Sequence, residues 1–197
     1  MPIHRKQKFT PDDAPAQRRL MEAGLFPSLL GATFQQLELP VRNVHDGSSK
    51  RLRGTASVTR GRSILARILC AAASLPPMAN ELPVEVQIVA SQRGEQWTRY
   101  FGDSRPMRSM LGSRHGLLVE RLGPAVLTFR LREREGGVEW ALVHLSAIGI
   151  RLPIRWFMVS AYSGARAERY TFVVNAALRG IGHIIRYEGE LDVVSSR

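Results

Sequence analysis

Residues 113–153 read SRHGLLVERLGPAVLTFRLREREGGVEWALVHLSAIGIRLP, and their alternation decides the fold. Leu118, Glu120 and Leu122 point one way, and Leu117, Val119 and Arg121 point the other. After Gly123-Pro124 the alternation resumes, with Leu127, Phe129 and Leu131 opposed to Thr128, Arg130 and Arg132. Gly136-Gly137 supplies the positive φ angles of a tight hairpin turn. Val138, Trp140 and Leu142 then climb back, with His144 on their face. Period-two patterning broken by two-residue turns marks antiparallel sheet.

Strand patterning extends in both directions. A first strand covers 51–59, with Leu52, Gly54, Ala56 and Val58 on one face. Later strands are predicted at 84–91, 96–102, 105–111, 117–122, 125–134, 138–148, 156–163, 169–178 and 184–193. No helical stretch separates these later strands, which excludes parallel βαβ units. A helix is predicted over 25–37, carrying Leu25, Leu29, Leu30, Phe34 and Leu37, with Pro27 tolerated in its first turn. Residues 40–50 read as a connector. Ser63 can cap a second helix with Ile64, Leu65, Ile68, Leu69 and Ala72 on its apolar side, stopped by Pro76-Pro77.

A sheet of about ten strands cannot stay flat. The expectation is therefore a mainly β protein, a single antiparallel meander of about ten strands. It should be strongly curved or a partial barrel, packed with one or two short helices and curving around the 63–75 helix. Residues 1–15 read as a loose basic N-terminus and 16–197 as one β-rich domain.

Composition narrows the class. The 197 residues are 44% hydrophobic, with a net charge of +11. No secretory signal or membrane-spanning segment is read, so the expected compartment is the cytoplasm. The single Cys70 excludes an internal disulfide and reads as a buried thiol. Of 28 basic residues only three are lysine, and most arginines fall singly within strands. That dispersion, with no helix-turn-helix, zinc-finger or RNP motif, argues against specific nucleic-acid binding. Five scattered histidines and one cysteine offer no metal spacing. No Gly-rich phosphate loop, HExxH or GxSxG is present, and no cofactor is expected.

Chemistry must then come from polar groups lodged among apolar strand neighbours. Glu120 shares a face with Leu118 and Leu122, and Arg99 shares one with Trp97 and Phe101. If those faces are interior, each charge needs a partner, either another side chain or a ligand head. Glu168, Tyr187 and Arg121 are weaker members of the group. His45 beside Asp46 is a candidate base, or simply part of a turn with a local hydrogen bond.

The segments LLGATFQQLELPVRNVHD, GTASVTRGRSILARIL, EQWTRYFGD, LLVERLGP, GGVEW, IGIRLP and RYEGEL occur in that order. In this order and spacing the chain resembles the bacterial family called domain of unknown function 4166, over roughly 25–193. The resemblance implies a stand-alone protein or a module joined to Rossmann-type, saccharopine-dehydrogenase-like oxidoreductases. It implies recurrent polar positions at His45, Trp97, Arg99, Glu120, Arg121, Glu168, Tyr187 and Gly189. Gly123-Pro124 and Leu152-Pro153 match its turns, whereas Leu178-Arg179-Gly180 departs where the family often carries proline.

Three functions stay open on this reading. The first is a non-catalytic module binding a small amphipathic or anionic ligand, with Trp97, Phe129 and Trp140 as apolar lining and Arg99 and Arg121 for an anion. The second is an accessory domain of a Rossmann-type oxidoreductase partner, with Glu120 or His45 as general base. The third is a structural or interaction module.

Overall fold

The computed structural model describes residues 24–194; the N-terminal segment 1–15 lies outside them. Strands β1 (Lys50–Arg60), β2 (Ala79–Ser91), β3 (Gly94–Phe101), β4 (Met107–Arg114), β5 (Leu117–Leu122) and β6 (Ala125–Arg134) follow as a meander. They continue into β7 (Gly137–Ala147), a short β8 (Ile150–Leu152), β9 (Phe157–Arg166), β10 (Arg169–Leu178) and β11 (Gly182–Val194). The strand order is β6-β5-β4-β3-β2-β1-β11-β10-β9-β7-β8, and β6 also pairs with β7.

Ten strands thus close into an antiparallel barrel, with β8 hanging on β7. The expected curved or partial barrel is corrected to a closed one. Twist accumulated over consecutive hairpins brings the last strand back to the first, and closure pairs each of the ten strands on both sides, β7 with β9 over a short stretch only. β11 pairs antiparallel with β1 from Arg51↔Val194 to Arg60↔Ile185. Gly189 sits at that seam because a Cβ there would lie 2.2 Å from the Thr55 carbonyl oxygen.

One end is plugged. Helix α1 (Leu25–Leu30), a 3-10 turn (Gly31–Gln36) and α2 (Leu39–His45) press Leu25, Phe26, Val41, Val44 and His45 into the barrel. Phe26 lies 5.5 Å from the Trp140 ring, and Glu38 N donates to Gly136 O at 2.8 Å. The predicted 25–37 helix is interrupted at Gly31, whose φ of 58° ends α1. The predicted 40–50 connector is corrected: its first half, 40–45, is α2, started by Pro40 in the first turn, where a missing N–H costs nothing.

At the other end, α3 (Ile64–Ala72) begins where predicted, its Ala66 N–H donating to Ser63 Oγ at 3.1 Å. Gly61 N donates to Ile184 O at 2.8 Å, anchoring the helix entrance on β11. At the far end, Ala72 O lies 3.2 Å from where a Gly123 Cβ would stand. The helix therefore lies across the barrel's open end, from β1–β11 to the β5–β6 turn. The barrel does not wrap around it.

The buried side of α3 is also corrected. Ala66 and Cys70 face inward, while Ile64 and Ile68 are 76% and 57% exposed. Small side chains let the helix settle on the strand ends, and the apolar stripe is left facing solvent.

Two further corrections concern β7. Its entry turn places positive φ at Glu135 (52°) and Gly136 (74°), so the turn is Glu135-Gly136. Gly137 is demanded by packing: a Cβ would meet Tyr162 Oη at 2.3 Å and Ser163 O at 2.4 Å. Gly137→Ala is expected to cost about 2 kcal/mol through backbone displacement, measurable as an earlier urea midpoint. Further along, Thr128 pairs with His144 and Phe129 with Leu142, so Val143 is an extra residue. This bulge flips the alternation, and His144 faces outward to accept from Arg151 Nη2 at 3.0 Å.

Candidate functional site

Strands β3, β4 and β5 bring Arg99, Ser109 and Glu120 together inside the barrel. The register sets this: Arg99 pairs with Met107, two residues before Ser109, and Glu120 pairs with Leu111, two residues after it. All three sit on inward-facing positions. Arg99 Nη1 donates to Ser109 Oγ at 2.9 Å, and the guanidinium lies 5.0 Å from the Trp97 ring centroid. Its Nη2 reaches Glu120 Oε1 only at 3.6 Å, with the two side chains 13% and 12% exposed. At that length the ion pair is Coulombic and lacks a direct hydrogen bond.

Tyr187 completes the group from β11. Burial pushes its hydroxyl up to about 12, against the pull of Arg99, so it is an O–H donor at any ordinary pH. The inward face thus carries a cation, a protonated phenol and a loosely held carboxylate among apolar neighbours.

Burial of the inward side chains differs between the walls. Inward residues of β1 to β4 such as Val58, Val86, Phe101 and Leu111 are buried. Their counterparts Leu127, Leu142, Val159, Phe172 and Val174 on β6 to β10 are only partly buried. The pairing explains this. β7 pairs with β9 only from Val138↔Ser163 to Ala141↔Ser160, and further along β7 pairs with β8 instead. A lateral seam without direct β7–β9 pairing therefore runs toward the α3 end. Two shallow grooves of about 520 and 490 Å³ lie elsewhere, on the outer wall, the second lined by Arg121.

A family model described as Domain of unknown function (DUF4166) matches residues 37–191. The chain belongs to that family. The match runs from just before α2 to Leu191 in β11, so the DUF4166 region supplies nearly all of the barrel wall. No curated protein matches the chain.

The sequence-derived positions of this DUF4166 chain separate into three groups. Arg99, Glu120, Trp97 and Tyr187 meet in the interior. Trp140 faces inward as well, beneath Phe26, with its Nε1 unpartnered. Arg121 points outward, and Glu168 sits exposed in the β9–β10 turn with a φ of 63°, so neither joins the interior group.

His45 is sealed beneath the plug, its ring 4.0 Å from Phe26 and 5.7 Å from Trp97. Burial, aided by nearby Lys50, drives its pKa down to about 3, so the imidazole is neutral. Asp46 does not join it. It accepts from Ser48 N at 2.7 Å and from Lys50 Nζ at 2.7 Å, the local turn the sequence allowed. Burial raises the Asp46 carboxyl, but the Lys50 and Ser48 bonds outweigh that and hold it below its ordinary value.

Several interior polar groups escaped the sequence reading. Tyr170 Oη donates to Ser163 Oγ at 2.9 Å and stands 3.4 Å from His45 Nε2. Glu95, 3% exposed, accepts from Trp97 Nε1 at 2.8 Å, while its Oε1 has no partner. Glu95 and Trp97 sit two apart on one strand, a signal available in the sequence. Ser163 and Tyr170 become neighbours only through the β9–β10 hairpin.

Proposed function

We propose that the chain is a non-catalytic binding barrel that holds a small amphipathic anion in the cytoplasm. The head would sit on Arg99 and Tyr187, and the tail would lie along Leu127, Leu142, Phe172 and Val174 toward the β7–β9 seam. The observation that carries this reading is the interior Arg99–Glu120 pair held apart at 3.6 Å beside a partly exposed apolar wall. Barrels beyond the smallest sizes enclose ligand cavities. A purely structural pair would be expected to close to hydrogen-bond length, because burial of charge is costly unless compensated.

A role beside a Rossmann-type oxidoreductase draws on the family resemblance. Its proposed base His45 has weaker support, since the ring is covered on the interior by Trp97 and Tyr170 and from the plug by Phe26. Glu120 is the better placed of the two.

Titration with dodecanoate, followed by native mass spectrometry, tests the proposal. One equivalent should bind saturably, and dodecanol, lacking the anion, should bind at least tenfold more weakly, about the 1.4 kcal/mol expected of a charge-assisted hydrogen bond. Equal binding of both, or none of either, would overturn it.

A further inference from the structure

The α3 end of the barrel carries an apolar rim. Ile64 and Ile68 on α3 face solvent, as do Ile148 (84% exposed), Ile150, Trp156 and Met158 around the seam. Backbone contacts tie these segments into one ring. Ile148 N donates to Pro124 O at 3.0 Å, next to Gly123 and the end of α3. Arg179 N donates to Trp156 O at 2.7 Å, and Ile184 O holds the start of α3 through Gly61. The exposed apolar residues thus surround the seam and cover the lid. Exposed apolar area concentrated in this way marks an interaction surface.

Charge identifies what it faces. The connecting segments at this end, 61–78, 102–106, 123–124, 148–156 and 179–181, hold six arginines and one acid, Asp103. At the plug end, the segments 24–49, 92–93, 115–116, 135–136 and 167–168 hold Arg42 and Arg93 against Glu38, Asp46, Glu135 and Glu168. Those connecting segments sum to +5 at the α3 end and −2 at the plug end, where the strand ends add Lys50, Arg114, Arg134, Arg166 and Arg169. The apolar rim is the place where six exposed arginines, Arg62, Arg67, Arg105, Arg151, Arg155 and Arg179, stand against a single acid. Isoleucines with a tryptophan among arginines are the composition of elements that lie in the interface of an anionic bilayer. No helix among the described residues is long and apolar enough to cross a membrane.

We propose that the α3 end docks on anionic lipid surfaces, with Ile64, Ile68 and Trp156 inserted among the acyl chains and Arg62, Arg67, Arg155 and Arg179 on the headgroups. The docked face contains the mouth of the β7–β9 seam. This inference stands whether or not the barrel holds a ligand, because its readout is vesicle binding alone.

Co-sedimentation with phosphatidylcholine vesicles, with and without about one-third phosphatidylglycerol, tests it. The chain should sediment with the anionic vesicles, leave the zwitterionic ones and release at high salt. Each of Arg62→Gln, Arg67→Gln and Arg155→Gln should weaken partition about fivefold. Ile64→Ser with Ile68→Ser should weaken it about tenfold. Trp156 is the exposed tryptophan, Trp97 and Trp140 being buried, so its emission should shift to the blue on docking. Trp156→Phe should remove that shift. All these positions are at the surface, and thermal melts should stay unchanged. Failure to bind anionic vesicles, equal binding of both kinds, or loss of binding on Arg42→Gln and Arg93→Gln instead would overturn the proposal. Self-association in solution that Ile64→Ser and Ile68→Ser abolish would also overturn it, in favour of a protein partner.

Discussion

Arg99→Met is expected to lower the stability of the fold by about 3 kcal/mol and to abolish dodecanoate binding, while Glu120→Gln leaves the melt within about 1 kcal/mol of wild type. The asymmetry follows from what each change leaves behind. Removing Arg99 strands the Glu120 carboxylate inside the barrel, where no other cation is paired with it among the described residues. Removing the Glu120 charge leaves the guanidinium with the Ser109 hydroxyl and the Trp97 ring face. Cation–π contacts and a retained hydrogen bond offset much of that loss. Urea unfolding of both single variants and the double variant measures the pair directly. Equal large losses for the two single changes would show a tight structural pair and remove the basis for a ligand head there.

Glu95→Gln is expected to stabilise the protein by roughly 3 kcal/mol at pH 8 and to leave it unchanged near pH 4. Burial pushes the Glu95 carboxyl up to about 7 from 4.5, outweighing the Trp97 hydrogen bond, which pulls the other way. The folded state therefore holds a proton that the unfolded chain has already released. The advantage of that protonated form is complete below pH 4.5 and is lost as pH rises to about 7. Glutamine keeps an acceptor for Trp97 Nε1 and has no charge to form. Chemical denaturation of wild type and variant at several pH values should show the difference opening through that window. A constant difference, or none, would mean that Glu95 titrates normally.

His45 produces the opposite slope. Its pKa of about 3 lies below the ordinary 6.5, so the stability of the neutral ring is present above 6.5 and lost as pH falls toward 3. Between pH 4.5 and 6.5 the two groups oppose each other, and the wild-type profile should be nearly flat there.

Much of the barrel was legible in the sequence because a strand's alternation is local. Leu117 to Leu122 and Ala125 to Arg134 carry their inward and outward faces in their own order, and the strand limits agree with the structure. The Ser63 cap is equally local, a hydroxyl three residues from the amide it accepts from. Arg99 and Glu120 stood out as charges on apolar faces, which is why their need for a partner was visible before their meeting was.

Other features depend on residues far apart in the chain. Closure is decided by β1 meeting β11 and β6 meeting β7, pairings that no single strand encodes. The Val143 bulge shows only against its neighbour strand, so alternation alone puts His144 on the wrong face. The inward side of α3 was misread because local hydrophobicity favours Ile64 and Ile68, whereas close packing on the strand ends favours Ala66 and Cys70. The sequence by itself determined the strands, their faces and the odd charges upon them. Only the tertiary structure decided which charges meet, which wall opens and which apolar stripe stays in water, because each depends on contacts whose register is set across the closed barrel.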